Sequence, residues 1–214
     1  MDLAALGTGI ATVRRVETST PLVALTFDDG PDGSFTGAKL EVLASHSARA
    51  TFFVLGKLVR ALPRVVRAIV EAGSEVASHS YDHPNLAHLS PSGVTLQLQR
   101  TLEAMRAAGV DPPPLFRPPY GSYNCAVLGA AAGAGYRWNV LWDVDPKDWR
   151  RPGAAAVAGR VLSAVRPGSV VVLHDWVQDT AAALPHVLRQ LDARGYRPVT
   201  VTDLLAAATG GAAP

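Results

Sequence analysis

Short apolar runs alternate with longer stretches of helical periodicity along almost the whole chain. Residues 22–26, 50–54, 75–77, 115–117, 137–142, 169–173 and 197–201 read as strands, rich in Val, Leu, Phe and Thr. Between them, residues 37–45, 63–72, 91–108, 124–134, 154–165 and 180–193 read as helices. Gly73, Gly109, Gly135, Gly168 and Gly195 follow the last five, where a left-handed cap suits glycine. A strand such as Val170-Val171-Val172-Leu173 is apolar on both faces, the mark of a parallel strand covered by helices. Seven strand–helix units predict an α/β fold, a closed or nearly closed barrel rather than an open sheet.

The polar residues break this pattern in one consistent place. Asp28-Asp29, His79, Arg117 and His174 stand at or just beyond the C-terminal ends of predicted strands. In β/α barrels that rim carries the active site, because strand ends converge there and loops form the walls.

Composition adds limits. The chain has 214 residues, enough for a single core, and is expected to divide into an N-terminal extension (1–20), one main domain (21–205) and a flexible tail (206–214). Lys plus Arg is 20 against 18 for Asp plus Glu, too balanced to draw nucleic acid. Arg14-Arg15 and Arg150-Arg151 are basic pairs that read as solvated surface. Cys125 is the single cysteine, which excludes an internal disulfide and a Cys-rich zinc site. No apolar segment is long enough to span a bilayer, and the start lacks a signal peptide's basic residues. The expectation is a cytoplasmic monomer without membrane insertion, or a secreted one if the start has been trimmed.

The chemistry sits in five clusters. Asp28-Asp29 closes a buried strand and is followed by Gly30-Pro31. Adjacent carboxylates there are costly to dehydrate unless a cation or partner holds them. His79 and His83 lie four positions apart on what Pro84 makes a loop rather than a helix. One carboxylate and two imidazoles make a three-ligand metal site with open positions, leaving the second carboxylate free as a base. Arg117-Pro118-Pro119-Tyr120-Gly121 is stiff, and its prolines leave the Tyr120 amide as one of few donors able to face a cleft. Trp142, Asp143, Asp145, Asp148 and Trp149 place carboxylates beside indoles, a combination that suits sugar faces. His174-Asp175-Trp176 ends the most apolar strand, and a histidine there is placed to act as an acid near neutral pH. Taken singly, each cluster has a plain explanation: a turn, surface histidines, a rigid loop, core tryptophans, a core histidine.

Taken together they resemble the NodB-like polysaccharide deacetylases, carbohydrate esterase family four. The resemblance runs from about Pro21 to Leu205 and rests on five motifs in order. They are Thr26-Phe27-Asp28-Asp29-Gly30-Pro31, His79-Ser80-Tyr81-Asp82-His83-Pro84, Arg117-Pro118-Pro119-Tyr120-Gly121, Asp145-Pro146-Lys147-Asp148-Trp149 and Val172-Leu173-His174-Asp175. The resemblance implies a distorted seven-stranded (β/α) barrel of NodB-homology type. It implies a divalent metal on Asp29, His79 and His83, zinc first, with Co2+ or Ni2+ as other candidates. Asp28 is then the general base and His174 the general acid. Arg117 orients Asp28, Asp148 tunes His174, the Tyr120 amide steadies the oxyanion, and Trp149 and Val172 line the acetyl pocket. The implied reaction is hydrolysis of the N-acetyl group of an N-acetylglucosamine-type sugar, with acetate released. One departure is Val172 where the family usually has Leu, which leaves room for a marginally larger acyl group. Trp176 is bulky for a cleft mouth and is expected to narrow access.

Other readings share parts of this pattern. An O-acetyl xylan esterase or a small-molecule N-deacylase uses the same motifs. A non-haem iron oxygenase also uses two His and one carboxylate, but on an antiparallel scaffold with a different ligand order. A carbohydrate-binding protein without catalysis needs neither Asp28 nor His174.

Overall fold

Strand periodicity decides what this fold exposes at its rim. A computed structural model of the chain describes residues 9–208. Eight strands are present: β1 (Ala11–Val13), β2 (Leu22–Gly30), β3 (Thr51–Val54), β4 (Glu75–Ser78), β5 (Leu115–Phe116), β6 (Trp138–Val140), β7 (Val170–His174) and β8 (Arg197–Val199). Every ladder is parallel, in the order β1-β6-β5-β4-β3-β2-β7. β8 pairs with the first residues of β2. Ala24 pairs with Val170 of β7 and Val199 of β8, so β8 lies on the edge of β2 that β3 occupies further along.

The helices α1 (Thr36–Ser45), α2 (Gly56–Ala61), α3 (Pro63–Glu71), α4 (Pro91–Ala107), α5 (Cys125–Gly133), α6 (Ala154–Ala164), α7 (Gln178–Ala193) and α8 (Val201–Ala208) complete the order. Alternation along the strands sorts the core in two. Val23, Leu25 and Phe27 of β2 and Val171 and Leu173 of β7 face outward, against Leu43, Val161, Leu184 and Leu188 of the helices. Ala24, Phe53, Ala77, Leu115, Val140 and Val170 face inward and fill the barrel, plugged below by Val201, Leu204 and Leu205 of α8.

Counting on by twos from these inward positions gives the rim. Ala24 leads through Thr26 to Asp28, Ala77 to His79, Leu115 to Arg117, Val140 to Trp142, and Val170 through Val172 to His174. Asp29 should by that count face outward. Instead the β2–β3 register shifts between Asp28 and Gly30, and Asp29 takes φ 67°. This bulge turns the second carboxylate toward the same side as the first.

The seven expected strands are all present, with three local differences. Part of the expected N-terminal extension is structural, since β1 pairs with β6 and Arg15 bridges Ser169. That segment and the Val144–Val171 bridge close the gap between β6 and β7 by single contacts instead of a full ladder, which makes the barrel distorted. The expected strand to residue 201 stops at Val199, and α8 begins at once. Thr200 explains it: its hydroxyl accepts from the Asp203 amide at 3.1 Å and donates to the Asp203 carboxylate at 2.7 Å, a capping arrangement. Of the expected tail, residues up to Ala208 belong to α8, and the remainder lies outside the described residues. Among the described residues no helix is long and apolar enough to cross a membrane.

Candidate active site

The rim encloses a cavity of about 460 Å3. Asp28, Asp29, His79, His83, Tyr120, Trp149, Val172 and His174, all singled out from the sequence, line it. Trp142, Asp145, Lys147 and Trp176 complete the wall. Arg117 and Asp148 do not line it; both are buried behind it.

Asp29 Oδ1 lies 3.1 Å from His83 Nε2 and 3.4 Å from His79 Nε2. It is buried without a hydrogen bond of acceptable geometry. His79 Nδ1 is 2.9 Å from the Arg117 carbonyl oxygen, to which it can only donate, so Nε2 is the nitrogen turned toward Asp29. Burial opposes ionisation of Asp29, yet the two imidazoles hold its carboxyl well below the usual carboxylate range. An orphaned carboxylate oxygen and two imidazole nitrogens converging on one point fit a divalent cation, and the donor set suits zinc-like ions.

The loop carrying both histidines is held from α4. Gln97 Oε1 accepts from the Tyr81 and Asp82 amides, each at 2.9 Å, and the Ser80 hydroxyl accepts from the His83 amide at 3.1 Å. Asp29, Ser80, His83, Tyr120 and Lys147 all take positive φ, between 58° and 71°. Such backbone is costly away from glycine, and its clustering here marks a geometry imposed by the surrounding fold. Gln97 carried no signal in the sequence, because a helical glutamine reads as surface.

Asp28 faces the arginine. Arg117 Nη1 donates to Asp28 Oδ1 at 2.6 Å and to the Thr26 hydroxyl at 2.8 Å, while Nε and Nη2 donate to the Val140 and Leu141 carbonyls. Its guanidinium also stacks 4.1 Å from the Phe53 ring. Burial pulls the Arg117 pKa down and Asp28 opposes this. Asp28 Oδ2 points the other way, 3.8 Å from His79 Nε2.

On the neighbouring strand β7, His174 pairs in register with Asp28, and its Nδ1 lies 2.8 Å from Asp148 Oδ1. Asp148 Oδ2 accepts from the His174 amide at 2.7 Å and the Thr180 hydroxyl at 2.5 Å. Burial works against protonation of His174, but Asp148 together with the Asp28 and Asp29 charges raises the pKa above the ordinary 6.5. Thr180 was not singled out from the sequence, since it lies on α7, away from any strand end. Asp175 belongs to a separate buried cluster: Lys39 Nζ is 3.1 Å from its Oδ1, and the Thr36 hydroxyl and Asp32 amide donate to its Oδ2. A side chain at Gly30 would collide with that carboxylate, so the turn after Asp29 is packed directly on it.

A parallel β/α barrel whose rim joins a cation-ready triad, a carboxylate and a carboxylate-backed histidine is the layout of a metal-dependent hydrolase. The family model for polysaccharide deacetylase matches residues 15–138. The chain is 40% identical over 204 residues to a chitooligosaccharide deacetylase of Sinorhizobium fredii, covering 87% of this chain and 93% of that one. It is 37% identical over 198 residues to a peptidoglycan-N-acetylglucosamine deacetylase of Bacillus cereus, covering 89% and 91%. Among solved structures, the peptidoglycan deacetylase PdaC of Bacillus subtilis superposes with a TM-score of 0.84 at 33% identity, over 91% of this chain and 95% of that one. The chain belongs to the polysaccharide deacetylase family. A pseudoenzyme of the same family from Bacillus anthracis superposes with a TM-score of 0.86 at 32% identity, so activity rests on the site residues and not on the fold alone.

Proposed function

We propose that this chain removes the acetyl group from an N-acetylglucosamine unit of a chito-oligosaccharide or peptidoglycan-like substrate. The observation that carries this reading is one cavity lined by Asp28, His174, the Asp29-His79-His83 triad and the indoles of Trp142, Trp149 and Trp176.

Asp29, His79 and His83 would hold a divalent cation, zinc by the donor set, which would supply Lewis acidity toward the acetyl carbonyl and a lowered pKa for water. Asp28 is the general base: with Oδ1 occupied by Arg117, Oδ2 remains to take a proton from the attacking water. The Tyr120 amide, on backbone held at φ 61°, steadies the oxyanion. His174 is the general acid, because an amine leaves only when protonated; with Nδ1 on Asp148, Nε2 is the nitrogen free to deliver that proton. Trp149 and Val172 bound the acetyl methyl.

Acetate release by metal-loaded protein, measured on acetylated chito-oligosaccharides, peptidoglycan fragments and acetylxylan, tests this. Turnover of the first or second, and less of the third, is expected. Release from acetylxylan alone would replace the reading with an O-acetyl esterase.

A further inference from the structure

We infer that Trp176 is a positioning residue for the metal centre: its indole N–H orients the Asp29 carboxylate and thereby sets the cation affinity. The inference rests on the metal reading above and names a residue outside the ligand set.

Trp176 Nε1 donates to Asp29 Oδ2 at 3.1 Å. That is the oxygen turned away from the histidines, while Oδ1 faces both of them. Asp29 sits on the bulge at φ 67°, and its Oδ1 makes no hydrogen bond. Without the indole donor the carboxylate is free to turn both oxygens between cation and solvent. With it, one oxygen is committed and the other is presented as a single ligand. Groups that orient metal ligands in this way matter nearly as much as the ligands themselves.

The indole is itself held. Its ring meets the His174 ring edge-on, with centroids 6.2 Å apart, and the Arg151 guanidinium lies 5.6 Å from its centroid. Arg151, which reads as plain surface charge in the sequence, therefore clamps Trp176 from outside. The residue expected only to narrow the cleft touches both halves of the site.

The experiment is titration of metal-free protein with Zn2+ against a chromophoric chelator, for wild type, Trp176→Phe and Trp149→Phe. Trp176→Phe keeps an apolar ring and removes only the donor. Its affinity should fall by about ten- to a hundredfold. Trp149→Phe, an indole of the same cavity without a bond to Asp29, should bind like wild type. Melting of the metal-free proteins separates this from misfolding, since Asp29 positioning alone leaves the melting temperature of the Trp176→Phe apoprotein close to that of wild type. The visible spectrum of the Co2+ form should change in Trp176→Phe, reporting an altered carboxylate. Wild-type affinity and an unchanged Co2+ spectrum in Trp176→Phe would overturn the inference while leaving the metal site intact. If wild type binds no cation, the metal reading itself falls, and this inference with it.

Discussion

Asp28, inward on β2, and Arg117, just beyond the end of β5, form a 2.6 Å ion pair, with the guanidinium fully sealed from solvent. Three further donors of the arginine go to Thr26, Val140 and Leu141, so its position is fixed independently of Asp28. This arrangement commits one carboxylate oxygen and leaves the other facing His79 Nε2 at 3.8 Å. Asp28→Asn keeps the shape and an acceptor for Arg117 while removing the base. Turnover should drop by about a hundredfold or more with cation binding retained. Near-normal turnover in the variant would remove Asp28 as the base.

The triad makes a separate prediction. His79→Ala and His83→Ala should each lose metal, measured by elemental analysis after equilibration with Zn2+, because two remaining ligands hold a cation poorly. Unchanged occupancy in either variant would take that histidine out of the site.

His174 gives a pH dependence whose sign follows from its environment. Asp148 together with the Asp28 and Asp29 charges raises its pKa above 6.5 in the folded protein, against the opposing effect of burial. Its protonation therefore adds stability that is complete below 6.5 and is lost as pH rises through the raised value. The acid form falls off over the same window, so the rate on an N-acetyl amine should decline on the alkaline side. Asp148→Asn should move that alkaline limb to lower pH. His174→Ala should depress amide hydrolysis far more than hydrolysis of an aryl acetate, whose phenolate leaves without protonation. Equal losses on both substrates would make His174 a packing residue.

Lys39 and Asp175 are both buried, and their pair supports the turn after Asp29. Lys39→Met leaves Asp175 without its counter-charge, which should lower stability by about 3–5 kcal/mol. Urea unfolding of the variant checks this, and no change in midpoint would show that Thr36 and the Asp32 amide suffice for Asp175.

The sequence by itself determined the seven main strands, most of the helices between them and the strand ends on which the chemistry sits. The reason is local: apolar strand runs, glycine caps and polar residues at strand ends are all written within a few neighbouring positions. It also supplied the residues that line the cavity, because motifs such as Asp28-Asp29 and His79-x-x-x-His83 are contiguous. Only the tertiary structure decided how they divide their work. The bulge at Asp29, the closure of the barrel by β1, the Gln97 support under the histidine loop and the Trp176 bond to Asp29 join residues far apart in the chain. No local pattern encodes such contacts. They appear only when the strands are in register and each side chain meets the neighbour that packing places beside it.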